Sequence, residues 1–276
     1  MLVGLLMLGG GIAAGGFGSL VGLGGGTLIV PLLTLGFGLP LREAIGVSLI
    51  CVIMTSSAAA GVYLERHVAN MRLGMTLELF TAIGALVGGS IAFLLDEQFL
   101  SVLFAGLLLY AAFSMARARA PEPTLDVETA DEVPTPIEPG PGSTSLDRLS
   151  GGGYRVRNLG FGLVGSVGAG LTAGLLGIGG GTVKVPLMHL GMGVPLRVAT
   201  ATSNMMMGIT AAAGAVIYVI HGGVDPYVAG PTAIGVFLGA TAGSRLAHRV
   251  DVRYIRWLFV TVLVYTALQL LLRVFG

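Results

Sequence analysis

Charged residues are scarce in this sequence. They make up 11% of 276 residues, whereas a typical soluble domain carries about 25%. The hydrophobic share is 54% and the mean hydropathy is +0.89. This shortage of charge, together with long uncharged apolar runs, excludes an ordinary soluble domain and places the chain among lipid-embedded proteins. A net charge of +1, without a basic cluster that contains aromatics, argues against a nucleic-acid partner.

Cysteine is nearly absent, since Cys51 stands alone inside an apolar run. A single cysteine excludes an intrachain disulfide, and no Cys/His group has metal-ligand spacing, so no metal or other cofactor is predicted. The sequence contains no Gly-x-x-x-x-Gly-Lys-Ser/Thr motif, which argues against ATP-driven pumping. No nucleophile, base and orienting group form a recognisable set, so the sequence does not predict an enzyme.

Acidic residues and proline are concentrated in one segment, residues 117–153. This segment holds seven acidic residues and six prolines, and it ends with Ser150 and three glycines. Such a composition predicts a solvated linker. The chain therefore divides into a first transmembrane region at 1–116, the linker at 117–153 and a second transmembrane region at 154–276.

The two transmembrane regions are repeats of each other. A displacement of 155 positions aligns them without a gap, so that Pro31 meets Pro186 and Tyr63 meets Tyr218. Between residues 17 and 64, about 21 of 48 positions are then identical, which indicates internal duplication.

The apolar runs predict ten helices, five in each repeat, and hence an all-α multi-pass membrane protein. The segments 27–35 and 182–190 are too short to cross a bilayer, which requires about 20 residues. The longer helices are predicted at 2–21, 41–64, 73–95, 99–115, 156–176, 197–220, 227–247 and 252–274.

The distribution of arginine predicts the orientation, because cytoplasmic loops carry an excess of Lys and Arg. The loops at Arg66 and Arg249 and both ends of the linker are basic, whereas the turns at 96–97 and 221–225 lack Lys and Arg. We expect a cytoplasmic linker and both termini outside. The two repeats then have inverted topology, which is typical of secondary transporters.

A Gly-Gly-Gly-Thr sequence interrupts an apolar run in each repeat. Each glycine weakens a helix by roughly 1 kcal/mol relative to alanine, so the pattern predicts re-entrant or broken half-helices with the threonine as N-cap. The free N–H groups of such a half-helix favour an anion. We predict two breaks that face one anionic substrate near the midplane; the alternative is tight helix crossing, as expected at Gly84 and Gly239. The predicted substrate-binding residues of the two motifs are Gly24, Gly25, Gly26, Thr27, Gly179, Gly180, Gly181 and Thr182.

Lys184 and His189 occur only in the second repeat, where the first repeat has Ile29 and Thr34. A lysine inside a membrane segment is costly and therefore predicts a functional site, here a positive charge that binds the substrate. The alternative is a side chain that extends to the membrane surface. His189 is predicted either to take part in proton coupling or to lie at the interface.

Other polar residues lie near the breaks. Arg42 and Arg197 begin long helices and are predicted to attract anions or to act as gates; contact with helix-end carbonyls or headgroups is the alternative. Glu78 is the only carboxylate well inside an apolar run and is a candidate for proton coupling, with an interfacial position as the alternative. Hydrogen bonds to the substrate, or else between helices, are predicted for Ser48, Ser203 and Asn204.

The repeated motif resembles that of the TauE/SafE sulfite-exporter family. The resemblance rests on Gly-x-Gly-Gly-Gly-Thr, a following Val-Pro-Leu and then Ala-x-x-x-Ser, at 22–32 with 44–48 and again at 177–187 with 199–203. It covers both repeats and excludes the linker. It implies a multi-pass permease of the inner (plasma) membrane for sulfite or an organosulfonate such as sulfoacetate.

Three functional interpretations follow from these observations. The first is secondary transport of a small sulfur-containing anion, with export as the expected direction. The second is an anion channel or an uptake permease for a related oxyanion, and the third is a membrane subunit without transport activity. The expected partners are the anionic substrate and the lipid bilayer; a homodimer is one candidate for the oligomeric state, which the sequence does not decide.

Overall fold

The computed structural model describes residues 2–21, 26–65, 69–117, 150, 154–246 and 252–275. Within these ranges the chain is almost entirely helical, which confirms the all-α prediction. Gly24 and Gly25, the loops at Arg66 and Arg249, and nearly all of the linker lie outside the described residues.

The described part of each repeat forms five helices at the predicted places. The ends of the long helices lie within three residues of the prediction, whereas the two short α-helices end four residues before it. The helices of the first repeat are α1 (Leu2–Val21), α2 (Gly26–Pro31), α3 (Leu41–Glu65), α4 (Met71–Leu94) and α5 (Glu97–Arg117). Those of the second repeat are α6 (Leu159–Leu176), α7 (Gly181–Pro186), α8 (Leu196–Ile220), α9 (Pro226–Leu246) and α10 (Val252–Phe275).

The two short helices, α2 and α7, each end at a proline and continue as a turn of π-helix. These turns span Leu32–Gly36 and Leu187–Gly191. Proline has no N–H group and its ring crowds the preceding turn, so the regular hydrogen-bond pattern changes at Pro31 and Pro186. The prediction that neither short segment crosses the bilayer alone agrees with their observed lengths.

Six described helices are long and apolar enough to cross a membrane, namely α3, α4, α5, α6, α8 and α10. A chain with this many apolar spans is a multi-pass membrane protein. Helix α9 is not among the six, although its repeat equivalent α4 is.

The two repeats interlock, because their long helices pack across the repeat boundary. Helix α1 runs along α9 and α4 along α6, while α3 packs on α8 and α5 on α10. Ser56, near the end of α3, contacts Asn204 near the start of α8, whereas Gly46 lies against Tyr218 near the end of α8. These two equivalent helices are therefore antiparallel, as inverted repeats require.

Glycine lets the helices of the α1–α9 and α4–α6 pairs meet backbone to backbone. A Cβ at Gly170 on α6 would lie 1.9 Å from the Thr81 carbonyl oxygen on α4. A Cβ at Gly239 on α9 would lie 2.1 Å from the Ile12 carbonyl oxygen on α1. A Cβ at Gly84 on α4 would lie 2.2 Å from the Val167 carbonyl oxygen on α6. The predicted role of Gly84 and Gly239 in tight crossing is confirmed. Helix α4 is thereby fixed against α6.

Candidate functional site

The connection between α6 and α7 is a true break in the helix. Gly177, Gly179 and Gly180 have φ angles of 73°, 72° and 75°, in the left-handed region that favours glycine. Gly180 occupies the N-cap position of α7 without a side-chain hydrogen bond, and Thr182 lies inside the first turn. The prediction that Thr182 caps this helix is therefore wrong. The left-handed backbone of Gly180 already turns the chain into the helix, which begins at Gly181, one residue before Thr182.

The start of α2 and the break between α6 and α7 lie side by side against α3. The Ser48 hydroxyl on α3 is within hydrogen-bond distance of two carbonyl oxygens, 3.1 Å from that of Gly26 and 2.8 Å from that of Gly177. The Val52 side chain, one turn further along α3, lies against both Gly26 and Gly179. Ser48 is fully buried, so it links the backbone on either side of the repeat boundary.

Lys184 on α7 forms a buried cluster with Glu78 on α4 and Thr210 on α8. The Lys184 ammonium is ion-paired with Glu78 Oε2 and donates to Thr210 Oγ1 at 2.9 Å. The Thr210 hydroxyl donates in turn to Glu78 Oε1. The three side chains thus form a closed ring of charge-assisted hydrogen bonds between the two repeats.

Burial decides two alternatives that the sequence left open. Lys184 is 4% exposed and Glu78 is 3% exposed, and each is paired with the other. Lys184 therefore does not extend to the surface of the protein, and the Glu78 carboxylate is enclosed by protein. Ionisable side chains buried within a bundle of membrane-spanning helices are typical of functional sites.

The positions related to Lys184 and Glu78 by the repeat carry no charge. The positions equivalent to Lys184 and Glu78 are Ile29 and Ala233, both buried and apolar, whereas Thr210 is matched by Thr55. The duplicated helices therefore provide two similar frameworks, of which one carries an ion pair.

Two buried hydroxyls near the breaks have no hydrogen-bond partner among the described residues. Thr27 on α2 is fully buried and Ser203 on α8 is 1% exposed. The Ser203 oxygen is 3.7 Å from the place that a Cβ at Gly181 would take, so it faces the second break. Buried hydroxyls normally have partners, and these two are free to bind a polar solute.

Arg42 lies at the start of α3 and binds the end of another helix. Its guanidinium donates to the carbonyl of Leu95, the C-cap residue of α4. The Nε atom of Arg42 is buried and has no hydrogen-bond partner among the described residues. A cation at a helix C-terminus is electrostatically favourable. The structure thus places Arg42 against helix-end carbonyls, on α4 rather than on the preceding short helix. The side chain of Arg197, its repeat equivalent, lies outside the described residues.

His189 and Asn204 lie close to the cluster in sequence and have other partners. The Nδ1 atom of His189, in the π turn after α7, is 2.9 Å from the Val194 carbonyl oxygen, so the ring closes the turn that leads into α8. Asn204 is 6% exposed, and its backbone carbonyl accepts a hydrogen bond from Ser56 on α3 at 2.7 Å.

A cavity of about 370 Å³ lies elsewhere, where the start of α3 meets α5 and α10. Glu97 and Arg273 line it together with Thr34 and Ser101. No predicted site residue lines this cavity, and Lys184 is enclosed by protein. The described conformation is therefore one in which the charged cluster is closed to water.

Thr210 is the member of the cluster that sequence reasoning missed. The sequence marks Thr210 only as the repeat match of Thr55, and the pairing of Lys184 with Glu78 is not among the predictions made from the sequence. A signal was available, because Lys184 is the only lysine in the chain and Glu78 the only carboxylate well inside an apolar run. Opposite charges inside a membrane are expected to pair.

The apolar helices, the interlocked repeats and the buried ion pair define a polytopic membrane protein of the transporter class. Proteins of similar sequence are named as probable membrane transporters. The chain is 26% identical over 268 residues to the probable membrane transporter protein YunE of Bacillus subtilis, covering 95% of this chain and 94% of YunE. It is 25% identical over 277 residues to the probable membrane transporter protein MJ0441 of Methanocaldococcus jannaschii, covering 95% and 93% of the two chains. No solved structure matches the chain.

The family model for "Sulfite exporter TauE/SafE" matches residues 7–270. The chain therefore belongs to the TauE/SafE family, as the repeated glycine motif predicted, and it is a membrane transporter.

Proposed function

We propose that this protein is a secondary transporter that moves a small sulfur-containing anion, sulfite or an organosulfonate such as sulfoacetate, across the inner (plasma) membrane. The observation that carries the proposal is the burial of the Lys184 ammonium between the two repeats, beside the break that separates α6 from α7. A buried cation of this kind supplies the charge that an oxyanion needs when it leaves water. The family description supports a sulfur anion and export.

The substrate is held by Lys184 together with the hydroxyls of Thr27 and Ser203, which lack partners in the described conformation. Backbone N–H groups of the two glycine breaks complete the site, because a residue without a side chain lets an anion approach closely. Gly24 and Gly25 belong to this set by repeat symmetry with Gly179 and Gly180.

Ser48 and Arg42 have a positioning role in this proposal. The Ser48 hydroxyl is occupied by the carbonyls of Gly26 and Gly177, and Arg42 is occupied by the end of α4. Both residues therefore hold the breaks and their neighbouring helix in place. The orientation follows the arginine distribution, with the linker in the cytoplasm and both termini outside.

Equilibrium binding to purified protein in lipid nanodiscs tests the site. The ligands are sulfite, sulfoacetate, sulfate and thiosulfate, and we expect saturable binding of at least one. In the double variant Lys184→Gln, Glu78→Gln, neither charge is left buried alone, and affinity should fall about a hundredfold through loss of a charged contact worth about 3 kcal/mol. Arg72→Gln, which neutralises an exposed arginine at the start of α4, is the matched control and should bind like the wild type.

Counterflow in proteoliposomes tests transport itself. A secondary transporter loaded with unlabelled anion should transiently concentrate the labelled anion, whereas a channel should only equilibrate it. Absence of binding to the wild type, or full binding to the double variant, would overturn the proposed function.

A further inference from the structure

We propose that Glu78 takes the place of the substrate on Lys184 in the unloaded protein, so that each anion binds together with one proton. This inference rests on the proposed function and adds the coupling ion and its stoichiometry. It follows from the ring formed by Lys184, Glu78 and Thr210 and from the enclosure of that ring.

The incoming anion and Glu78 compete for the same donors. The Lys184 ammonium is ion-paired with Glu78 Oε2, and the Thr210 hydroxyl donates to Glu78 Oε1. These two groups are the donors that an oxyanion at Lys184 would use. An anion that pairs with the Lys184 ammonium therefore competes with the Glu78 carboxylate for its positive charge.

Among the side chains that the structure describes, a carboxylate released from Lys184 has no other cation to pair with. Glu78 is 3% exposed, and a buried charge without a partner costs several kcal/mol. Helix α6, packed along α4, contains no titratable residue. The charged or titratable residues on the other helices packed against α4, and on α4 itself, are Lys184 on α7, His189 in the π turn after it, Arg197 and Tyr218 at opposite ends of α8, and Arg72. The segment before α6, which also packs on α4, adds Arg155 and Arg157, both exposed, and Tyr154, whose hydroxyl accepts a hydrogen bond from Asn70.

None of these residues replaces Lys184 as a partner for Glu78. His189 is bound to a backbone carbonyl, Arg72 is exposed at the start of α4, and Tyr218 carries no charge at neutral pH. Arg197 lies at the start of α8, thirteen positions before Thr210, the partner of Glu78, or about 20 Å along the helix. Uptake of a proton by the Glu78 carboxylate is then the step that removes the unpaired charge.

The exchange balances in charge and atoms. The reactants are the ion pair of Lys184 with Glu78, one anion and one proton. The products are the Lys184 ammonium paired with the anion and a neutral Glu78 carboxylic acid. The proton comes from water on the side from which the anion enters, and no covalent bond to carbon or sulfur changes. Thr210 then donates to the bound anion or accepts from the new Glu78 O–H.

The direction of net transport follows from this coupling. A monoanion that moves with one proton carries no net charge, so the membrane potential does not drive it. The anion and proton gradients together set the direction. Export therefore requires an outward anion gradient larger than the inward proton gradient.

Calorimetric titration in buffers of different ionisation enthalpy counts the protons taken up when the anion binds. We expect the wild type to take up about one proton more than the Glu78→Gln variant, because glutamine has no titratable group. Comparison of the two proteins cancels any protonation of the ligand itself, as with sulfite. Glu43→Gln, which neutralises a carboxyl in the first turn of α3, is the matched control and should behave like the wild type.

The pH dependence of affinity is the second readout. In the wild type the dissociation constant should rise about tenfold per pH unit where Glu78 is ionised in the free protein, and in Glu78→Gln it should stay flat. Should Glu78→Gln fail to fold, the wild-type slope decides alone, and a flat slope would refute the coupling. Equal proton uptake by wild type and Glu78→Gln, with anion binding intact, overturns this inference and leaves the proposed function standing. No binding by the wild type overturns both.

Discussion

Lys184 and Glu78 are ion-paired across the boundary between the two repeats, although the equivalent positions, Ile29 and Ala233, are both apolar. The duplication supplies two related frameworks of helices, and the charge belongs to only one of them. Each partner of the pair thus lies in a different repeat, on α7 and on α4. A relative movement of the repeats would change the distance between them and couple the site to the global conformation.

Removing one charge should harm the fold more than removing both. Lys184→Gln leaves Glu78 buried without a cation, and the expected loss of stability is about 3–5 kcal/mol. The double variant Lys184→Gln, Glu78→Gln leaves two neutral amides and should recover most of this loss. Thermal unfolding in nanodiscs, followed by the fluorescence of the single tryptophan Trp257, measures the difference. Equal losses in the single and double variants would show that the pair does not contribute as a unit.

The backbone contact between α4 and α6 should be sensitive to a single methyl group. A Cβ at Gly170 would lie 1.9 Å from the Thr81 carbonyl oxygen, so Gly170→Ala must push the two helices apart. We expect a loss of several kcal/mol, in the range seen for overpacked or strained sites, and weaker anion binding because α4 carries Glu78.

Gly168→Ala on the same helix is the matched control for Gly170→Ala. Nothing lies within 4 Å of a Cβ at Gly168, so alanine should be neutral or stabilise the helix by up to about 1 kcal/mol. If Gly170→Ala were as stable as Gly168→Ala, the close contact between α4 and α6 would be wrong.

The left-handed glycines of the second break should matter for transport beyond their backbone strain. Alanine at Gly180 or at Gly193 must adopt a φ of 75° or 72°, at a cost of about 1–2 kcal/mol in either case. A Cβ at Gly180 would also lie 3.1 Å from the Ala169 carbonyl oxygen, whereas one at Gly193 has room. We expect counterflow to be lost in Gly180→Ala and kept in Gly193→Ala. Similar flux in the two variants would argue that the break has no part in the site.

Arg42 should act on stability and leave affinity unchanged. Its guanidinium donates to the carbonyl of Leu95, the C-cap residue of α4. Arg42→Ala should therefore lower the free energy of unfolding by about 1–2 kcal/mol through the loss of a charged hydrogen bond. The anion dissociation constant should stay within about twofold of the wild type, a change below 0.5 kcal/mol. A large loss of affinity without a loss of stability would instead support the anion-attracting role that the sequence suggested.

The helices and their repeat were predictable because both rest on patterns that are local or exact. Uncharged runs set the helix lengths, and the fixed displacement of 155 positions revealed the duplication. The break at Gly179 and Gly180 was likewise visible, since consecutive glycines disfavour helix wherever they occur.

The contacts of the polar residues were not predictable in the same way. The sequence placed Ser48 and Arg42 near a substrate, but their partners, Gly177 and Leu95, lie far away along the chain and depend on how the helices cross. The pairing of Lys184 with Glu78 depends on the glycine contact between α4 and α6, which no single helix reveals. Hydrogen-bond partners across a repeat boundary require the tertiary structure.

Nuclear magnetic resonance of the single lysine tests the central claim most directly. Because Lys184 is the only lysine in the chain, growth with lysine labelled at the side-chain carbon next to the ammonium gives one signal from one site. Addition of sulfite or sulfoacetate should move this signal saturably, with the dissociation constant found by calorimetry, and an equal ionic strength of chloride should not. An anion that binds or is transported while the Lys184 signal stays in place would contradict the account.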